Sequence, residues 1–220
     1  MHPYRRHILH ELALSSGARR FSELKPEGTE SNVFIYHLKK LVAEGFIKKL
    51  ERGYCLAAAG KRYVEKLSMA SFEPRLQPKI VTLVICKDAQ GRHLLYTRKR
   101  QPFYALVGFP YGKVHFGETV AEAAVRELRE KTGLSARLVH RGEVYLVIRA
   151  NGELISHMLC HVFTGTRPAG RLITESETGS CEWKDIRTIA RSRFIPGFLQ
   201  IFALARKSTK PFFKELSIGD

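Results

Sequence analysis

Gly-Lys-Val-His-Phe-Gly-Glu-Thr-Val-Ala-Glu-Ala-Ala-Val-Arg-Glu-Leu-Arg-Glu-Lys-Thr-Gly-Leu, residues 112–134, is the stretch on which the reading of this chain turns. Thr119 followed three residues later by Glu122 is a capping box, so a helix begins there. Ala121, Ala124, Val125 and Leu128 recur at helical spacing and predict a core-facing stripe. Gly133 stands where a left-handed C-terminal cap belongs. Glu127 and Glu130, three apart, leave one face of that helix together, and Glu118 stands just before it. A strand–loop–helix with carboxylates converging at one end suits a hard divalent cation such as Mg²⁺ or Mn²⁺.

The run resembles the signature of the Nudix family: Gly, five residues, Glu, seven residues, Arg-Glu, an aliphatic residue, any residue, Glu-Glu, any residue, Gly, an aliphatic residue. Gly112, Glu118, Arg126, Glu127, Leu128, Glu130, Gly133 and Leu134 match in register. The departure is Lys131, which stands where the family has the second glutamate of its pair. An ammonium repels a divalent cation, and on a helix Lys131 is spaced to pair with Glu127 at i, i+4.

The resemblance implies an α/β/α sandwich on a mixed sheet, over about residues 80–206, and hydrolysis of a nucleoside diphosphate linked to another moiety. It implies Mg²⁺ or Mn²⁺ held by the Gly112 carbonyl, Glu127 and Glu130, and Arg126 orienting Glu127. Glu118 would fix the loop. The proton acceptor would be Glu127 or Glu177; Glu177 is carried over because it stands six residues before Trp183, with Glu175 an open alternative.

Outward from the signature, Ile80 to Cys86 and His93 to Thr97 read as a β-hairpin joined at Asp88-Ala89-Gln90-Gly91. Arg98 and Arg100 at the end of the second strand, and His115 in the signature loop, are candidates for substrate phosphates beside a plain solvated reading. Gly142 to Ile148 and Glu153 to Gly165 read as strands. A short helix is expected from Ile186, and a last helix from Ile195 to Ala205, with Pro196 in its first turn. His157 and His161 share a strand face, which favours packing over a zinc pair. Residues 207–220 read as a tail.

A second, smaller module precedes a linker at 68–79, where Pro74 and Pro78 break regular structure. Arg6 to Leu14 has apolar residues at Ile8, Leu9, Leu12 and Leu14. A short helical turn follows at Ser22 to Lys25. Thr29 to Glu44 is expected as a helix with a core stripe of Val33, Phe34, Leu38, Leu41 and Val42. A hairpin turns at Glu51-Arg52-Gly53, and a last helix runs from Gly60 to Leu67. This order, over residues 1–67, resembles the small α+β winged helix-turn-helix domain of transcription regulators. It implies double-stranded DNA as a partner, read by Asn32, Tyr36 and Lys39 on the helix, with Lys48, Lys49 and Arg52 of the wing on phosphates.

Composition agrees and excludes other classes. The 220 residues hold 37 Lys and Arg against 21 Asp and Glu, a net charge of +16, which favours an anionic partner. Residues 1–78 carry 14 Lys and Arg against 8 Glu, so the basic excess lies in both modules. No apolar run approaches the ~18–20 residues of a membrane span. The start of the chain does not read as a signal peptide. Cys55, Cys86, Cys160 and Cys181 are scattered, so neither a disulfide scaffold nor a zinc ribbon is expected and a cytoplasmic setting fits. Both modules commonly dimerise in the families they resemble, so the resemblance admits a homodimer while the sequence leaves the oligomeric state open. Two function classes stand. One is a pyrophosphohydrolase with a DNA-binding appendage. The other is a regulator that senses a nucleotide derivative without cleaving it, which Lys131 favours.

Overall fold

The computed structural model describes residues 1–219, so the last residue of the expected tail lies outside it, and the chain divides into units of residues 1–76 and 77–220. In the first unit the elements are α1 (Pro3–Ala13), α2 (Phe21–Leu24), α3 (Ser31–Ala43), the antiparallel pair β1 (Ile47–Leu50) and β2 (Gly53–Leu56), and α4 (Ala58–Glu65). Ile8, Leu9 and Leu12 of α1 meet Phe34, Leu38 and Leu41 of α3, with Leu24 and Ile47 completing the core.

The stripe of α3 is narrower than its composition predicts. Phe34, His37, Leu38 and Leu41 face inward, at offsets of three and four, while Val33 and Val42 lie on the flanks and are exposed. Leu14 is likewise exposed, because α1 ends one residue earlier and Leu14 caps it. Residues 68–76 of the expected linker belong to this unit: Phe72 is buried in the core, and Leu67 bridges Pro74 in antiparallel fashion. One large aromatic ring there outweighs the local break signals of the prolines.

The second unit has a mixed five-stranded sheet in the order β10-β7-β8-β3-β6. Its strands are β3 (Lys79–Cys86), β6 (Tyr111–Lys113), β7 (Leu134–Ala150), β8 (Glu153–Gly170) and β10 (Phe212–Ile218). A three-stranded sheet, β5-β4-β9, is built from β4 (His93–Arg98), β5 (Val107–Gly108) and β9 (Gly179–Lys184). Helices α5 (Val120–Thr132) and α6 (Phe198–Lys207) complete the unit.

Alternation along β3 explains the layers. Val81 and Leu83 share a core with Phe198, Ile201 and Ala205 of α6, while Val84 and Cys86 share another with Ala124 and Leu128 of α5. The two helices therefore cover opposite faces of the mixed sheet, the α/β/α arrangement expected from the resemblance. Burying Leu128 fully contributes about 1.5–3 kcal/mol, so α5 is anchored by its apolar face and its polar edge is free for chemistry.

Three expectations are corrected. Strands β3 and β4 do not form a hairpin; they lie in different sheets and touch through a Lys87–His93 bridge, because β3 is already flanked by β8 and β6. The short helix from Ile186 is a 3₁₀ turn, and α6 starts at Phe198, after Pro196. The expected tail forms β10, which pairs in parallel with β7 from Phe212↔Gly142 to Ile218↔Ile148. No helix among the described residues is long and apolar enough to cross a membrane.

Candidate active site

The entry to α5 is built as its residue types dictate. Thr119 Oγ1 accepts from the Glu122 amide at 3.3 Å, and the Glu122 carboxylate accepts from the Thr119 amide at 2.8 Å. Gly133 closes the helix in the left-handed conformation, φ 72°.

Arg126 is the hub of this edge. Its Nε and Nη2 donate to the two oxygens of Glu118 at 2.7 and 2.8 Å. Its Nη1 donates to Glu127 Oε1 at 2.9 Å and to Glu130 Oε2 at 3.1 Å, and Nη2 also reaches the Lys113 carbonyl at 3.0 Å. One planar guanidinium thus ties the preceding loop to the helix through bidentate, charge-assisted bonds. Glu118 also accepts from the His115 amide at 2.9 Å, which fixes the loop.

Glu118 is pushed down to about 2, first by the Arg126 guanidinium and then by the His115 amide. A depressed carboxylate stabilises the fold above its ordinary range, and that contribution is lost as pH falls from about 4.5 towards about 2. Glu118→Gln is therefore expected to be less stable than the parent at neutral pH and to show a shallower decline of Tm across that acid window. An acid decline as steep as the parent's would contradict this role.

Glu127 is buried and lies directly against β6. A Cβ on Gly112 would overlap its whole carboxyl group, so only glycine lets the strand backbone approach. Glu127 Oε2 faces Lys131 Nζ at 3.4 Å, and that ammonium also lies over the Tyr96 ring, 5.4 Å from its centroid. Both oxygens of Glu127 are thus held by cations.

Gly112, Glu127 and Lys131 line a cleft of about 360 Å³ together with Lys79, Arg98, Arg100, Lys113 and His115. Arg98 is only 4% exposed and is bound by neutral oxygens: the Pro102 carbonyl at 2.9 Å, the Gln101 carbonyl at 3.4 Å and the Tyr111 hydroxyl. Among the described residues none of its hydrogen bonds goes to a carboxylate. Lys79 donates to Ser156 Oγ at 3.3 Å, and burial, Lys113 and Arg98 lower its pKa. A cleft with this many cations and one already paired carboxylate holds a standing positive potential that a polyanion would relieve.

Glu127 and Glu130 meet at one Arg126 nitrogen, at 2.9 and 3.1 Å, but open on different surfaces. Glu130 is 59% exposed at its side chain and lines a wide groove with Glu118, Arg126 and Phe116, not the cleft that Gly112 and Glu127 line. With Glu127 doubly paired and an ammonium beside it, these residues do not fit Mg²⁺ or Mn²⁺ as they stand. Arg98, Arg100 and His115 do reach the cleft. Glu177 is exposed in the turn between Ser176 and Gly179 and is not part of the cleft lining, while Glu175 pairs with Lys99. Tyr111, which stands where the family commonly has glycine in the run leading into the signature, lines the cleft, and so does Lys79, which sequence reasoning did not single out because it belongs to no recognisable spacing.

In the first unit, Asn32, Tyr36 and Lys39 are exposed on α3, and Lys48, Lys49 and Arg52 are exposed on the β1–β2 hairpin.

The family model for the NUDIX domain matches residues 77–203, and a model described only as a domain of unknown function, DUF7347, matches residues 1–67. An ADP-ribose pyrophosphatase of Methanocaldococcus jannaschii is 30% identical over 146 residues, covering 64% of this chain and 84% of that protein. Among solved structures, a MutT protein from Bacillus halodurans has a TM-score of 0.54 at 25% identity, over 63% of this chain and 89% of its own. A MutT NUDIX hydrolase from Burkholderia pseudomallei gives 0.50 at 25% identity, over 60% of this chain and the whole of its own. The family model spans more than half of the chain, and the glycine-backed glutamate and the arginine hub lie within its bounds, so this chain belongs to the Nudix hydrolase family.

Proposed function

We propose that the second unit binds a nucleoside diphosphate linked to a second moiety, the class to which ADP-ribose belongs, and hydrolyses its pyrophosphate bond. The observation that carries this reading is the cleft in which Lys79, Arg98, Arg100, Lys113 and Lys131 surround a single carboxylate. Two bridged phosphates bring charge to a site that lacks it. Arg98 and Arg100 supply the fork geometry that suits phosphate oxygens, and the lysines supply point charges.

Lys131 links binding to chemistry. In the free protein its ammonium faces Glu127 Oε2. Phosphate oxygens that draw the ammonium away leave that oxygen free to accept a proton from water, while Arg126 keeps Oε1 in place. Lys131 then neutralises charge that develops on the phosphate. The likeness to an ADP-ribose pyrophosphatase supports the choice of substrate.

The test is release of AMP from ADP-ribose, with added Mg²⁺ and with a chelator. Glu127→Gln is expected to lower turnover by roughly 10²–10⁴-fold, the span of a general base, and Arg98→Ala to raise KM. Turnover equal to the parent's in Glu127→Gln rejects the assignment. Saturable binding of ADP-ribose with no turnover in either condition favours the sensing role, for which the Lys131–Glu127 pair is the specific support.

For the first unit we propose double-stranded DNA binding, with α3 presenting Asn32, Tyr36 and Lys39 and the hairpin presenting Lys48, Lys49 and Arg52 to phosphates. The support is their joint exposure and the basic excess of this unit. Replacing Lys48 and Lys49 by Gln is expected to reduce the slope of log affinity against log salt by about 0.9 for each lost phosphate contact. An unchanged slope, or no binding at low salt, excludes this surface.

A further inference from the structure

His140, Glu143 and His161 meet on the second unit, away from the signature. Strand β7 is not regular here: its pairing with β8 shifts between His140 and Gly142. In an even strand, residues three apart point to opposite faces; the extra residue of the bulge puts His140 and Glu143 on the same one. Arg141, the residue in between, reaches the Ser208 carbonyl instead. Gly142 makes the arrangement possible, because its φ of 146° and the closeness of the Phe212 backbone exclude any side chain. His161 then lies directly opposite Glu143 in the ladder.

Three donor atoms converge as a result. His140 Nε2 lies 3.1 Å from Glu143 Oε1, and His161 Nδ1 lies 3.5 Å from the same oxygen. All three lie within 4.8 Å of one another. Ligands of a tetrahedral zinc ion with bonds of about 2.0–2.1 Å stand roughly 3.3 Å apart, and the two separations from Glu143 Oε1 bracket that value. His161 Nδ1 is buried and has no hydrogen-bond partner of acceptable geometry. Next to His161 in the same ladder row, the Thr82 hydroxyl is fully buried and also without a partner. A buried nitrogen in this state costs free energy unless something binds it.

We propose that His140, Glu143 and His161 form a binding site for a divalent transition metal, with zinc the best match. Two imidazoles and one carboxylate are the donor set zinc favours, and the partial exposure of His140 and Glu143 leaves a fourth position for water. The site is two strands from Gly112, since Thr82 of β3 lies between His161 and Gly112 in the row. It is therefore separate from the cleft. Bound metal would pin the β7 bulge on which β10 docks.

The experiment is titration of the untagged, chelator-treated full chain with Zn²⁺ by calorimetry, and with Co²⁺ by visible absorption. The expected result is one equivalent bound, with the absorption of four- or five-coordinate Co²⁺ and a raised Tm. Glu143→Gln, which keeps the shape of the side chain, and His161→Ala should each weaken binding by more than the about 10–100-fold that loss of a supporting group costs. His157→Ala and Glu127→Gln should leave it unchanged. No stoichiometric binding overturns the proposal, as does binding that survives both ligand substitutions or follows Glu127. Circular dichroism of each variant separates loss of a ligand from loss of the fold.

Discussion

Lys131→Glu is expected to change how the cleft handles cations more than any other single substitution. The variant places a carboxylate beside Glu127 in place of the ammonium now 3.4 Å from its Oε2. Two unit charges about 4 Å apart interact by roughly 1 kcal/mol in bulk water and by about 4 kcal/mol at an effective dielectric constant of 20. Reversing one of them beside a doubly charged ion therefore strengthens Mg²⁺ or Mn²⁺ binding at least about tenfold. Without divalent cation the variant should have a lower Tm, because like charges at i, i+4 on α5 repel and the Lys131–Tyr96 contact is lost. Adding Mg²⁺ should restore it. ADP-ribose binding in the presence of a chelator should weaken as well. Calorimetric Mg²⁺ titration and thermal melts with and without chelator read these effects, and equal Mg²⁺ affinity in parent and variant contradicts the role given to the ammonium.

Gly112→Ala should be nearly as damaging, for a steric reason. The added methyl falls on the Glu127 carboxyl group, which is hemmed in by Arg126 and Lys131 and cannot move aside freely. Overpacking of this kind costs about 1–3 kcal/mol. Displacing a reacting group by about 1 Å can cost 10²-fold in rate. The expected outcome is a lower Tm together with at least about a hundredfold loss of ADP-ribose hydrolysis. In the double variant Gly112→Ala, Glu127→Ala the clash disappears, so Tm should recover relative to Gly112→Ala while hydrolysis stays lost. Independent, additive effects of the two substitutions would show that they do not share this contact.

Much of the α5 region was legible in advance because its signals are local. The capping box at Thr119 and Glu122, the left-handed Gly133 and the i, i+4 meeting of Glu127 with Lys131 all act within one helix and its caps. The hub role of Arg126 extends further than its place in the signature implies: besides orienting Glu127 it holds Glu118 and Glu130. Where the reading failed, a partner distant in sequence had won. Strand β3 left β4 for β8 and β6, Phe72 drew the expected linker into a core, and the supposed tail found the free edge of β7. Glu130 shows the limit within the signature itself, since its spacing from Glu127 puts both on one side of α5 while the cleft receives only Glu127.

The amino-acid sequence by itself determined the family of the second unit, the helix that carries its signature and the one departure, Lys131. These rest on spacing along a single helix, where periodicity and capping fix geometry without reference to the rest of the chain. Only the tertiary structure decided that Lys79, Arg98 and Tyr111 would join Lys131 around one carboxylate, and that His161 would meet His140 and Glu143 instead of His157. Those meetings depend on strand register and on a bulge at Gly142, and a shift of register by one residue would turn the strand-borne side chains among them to the opposite face.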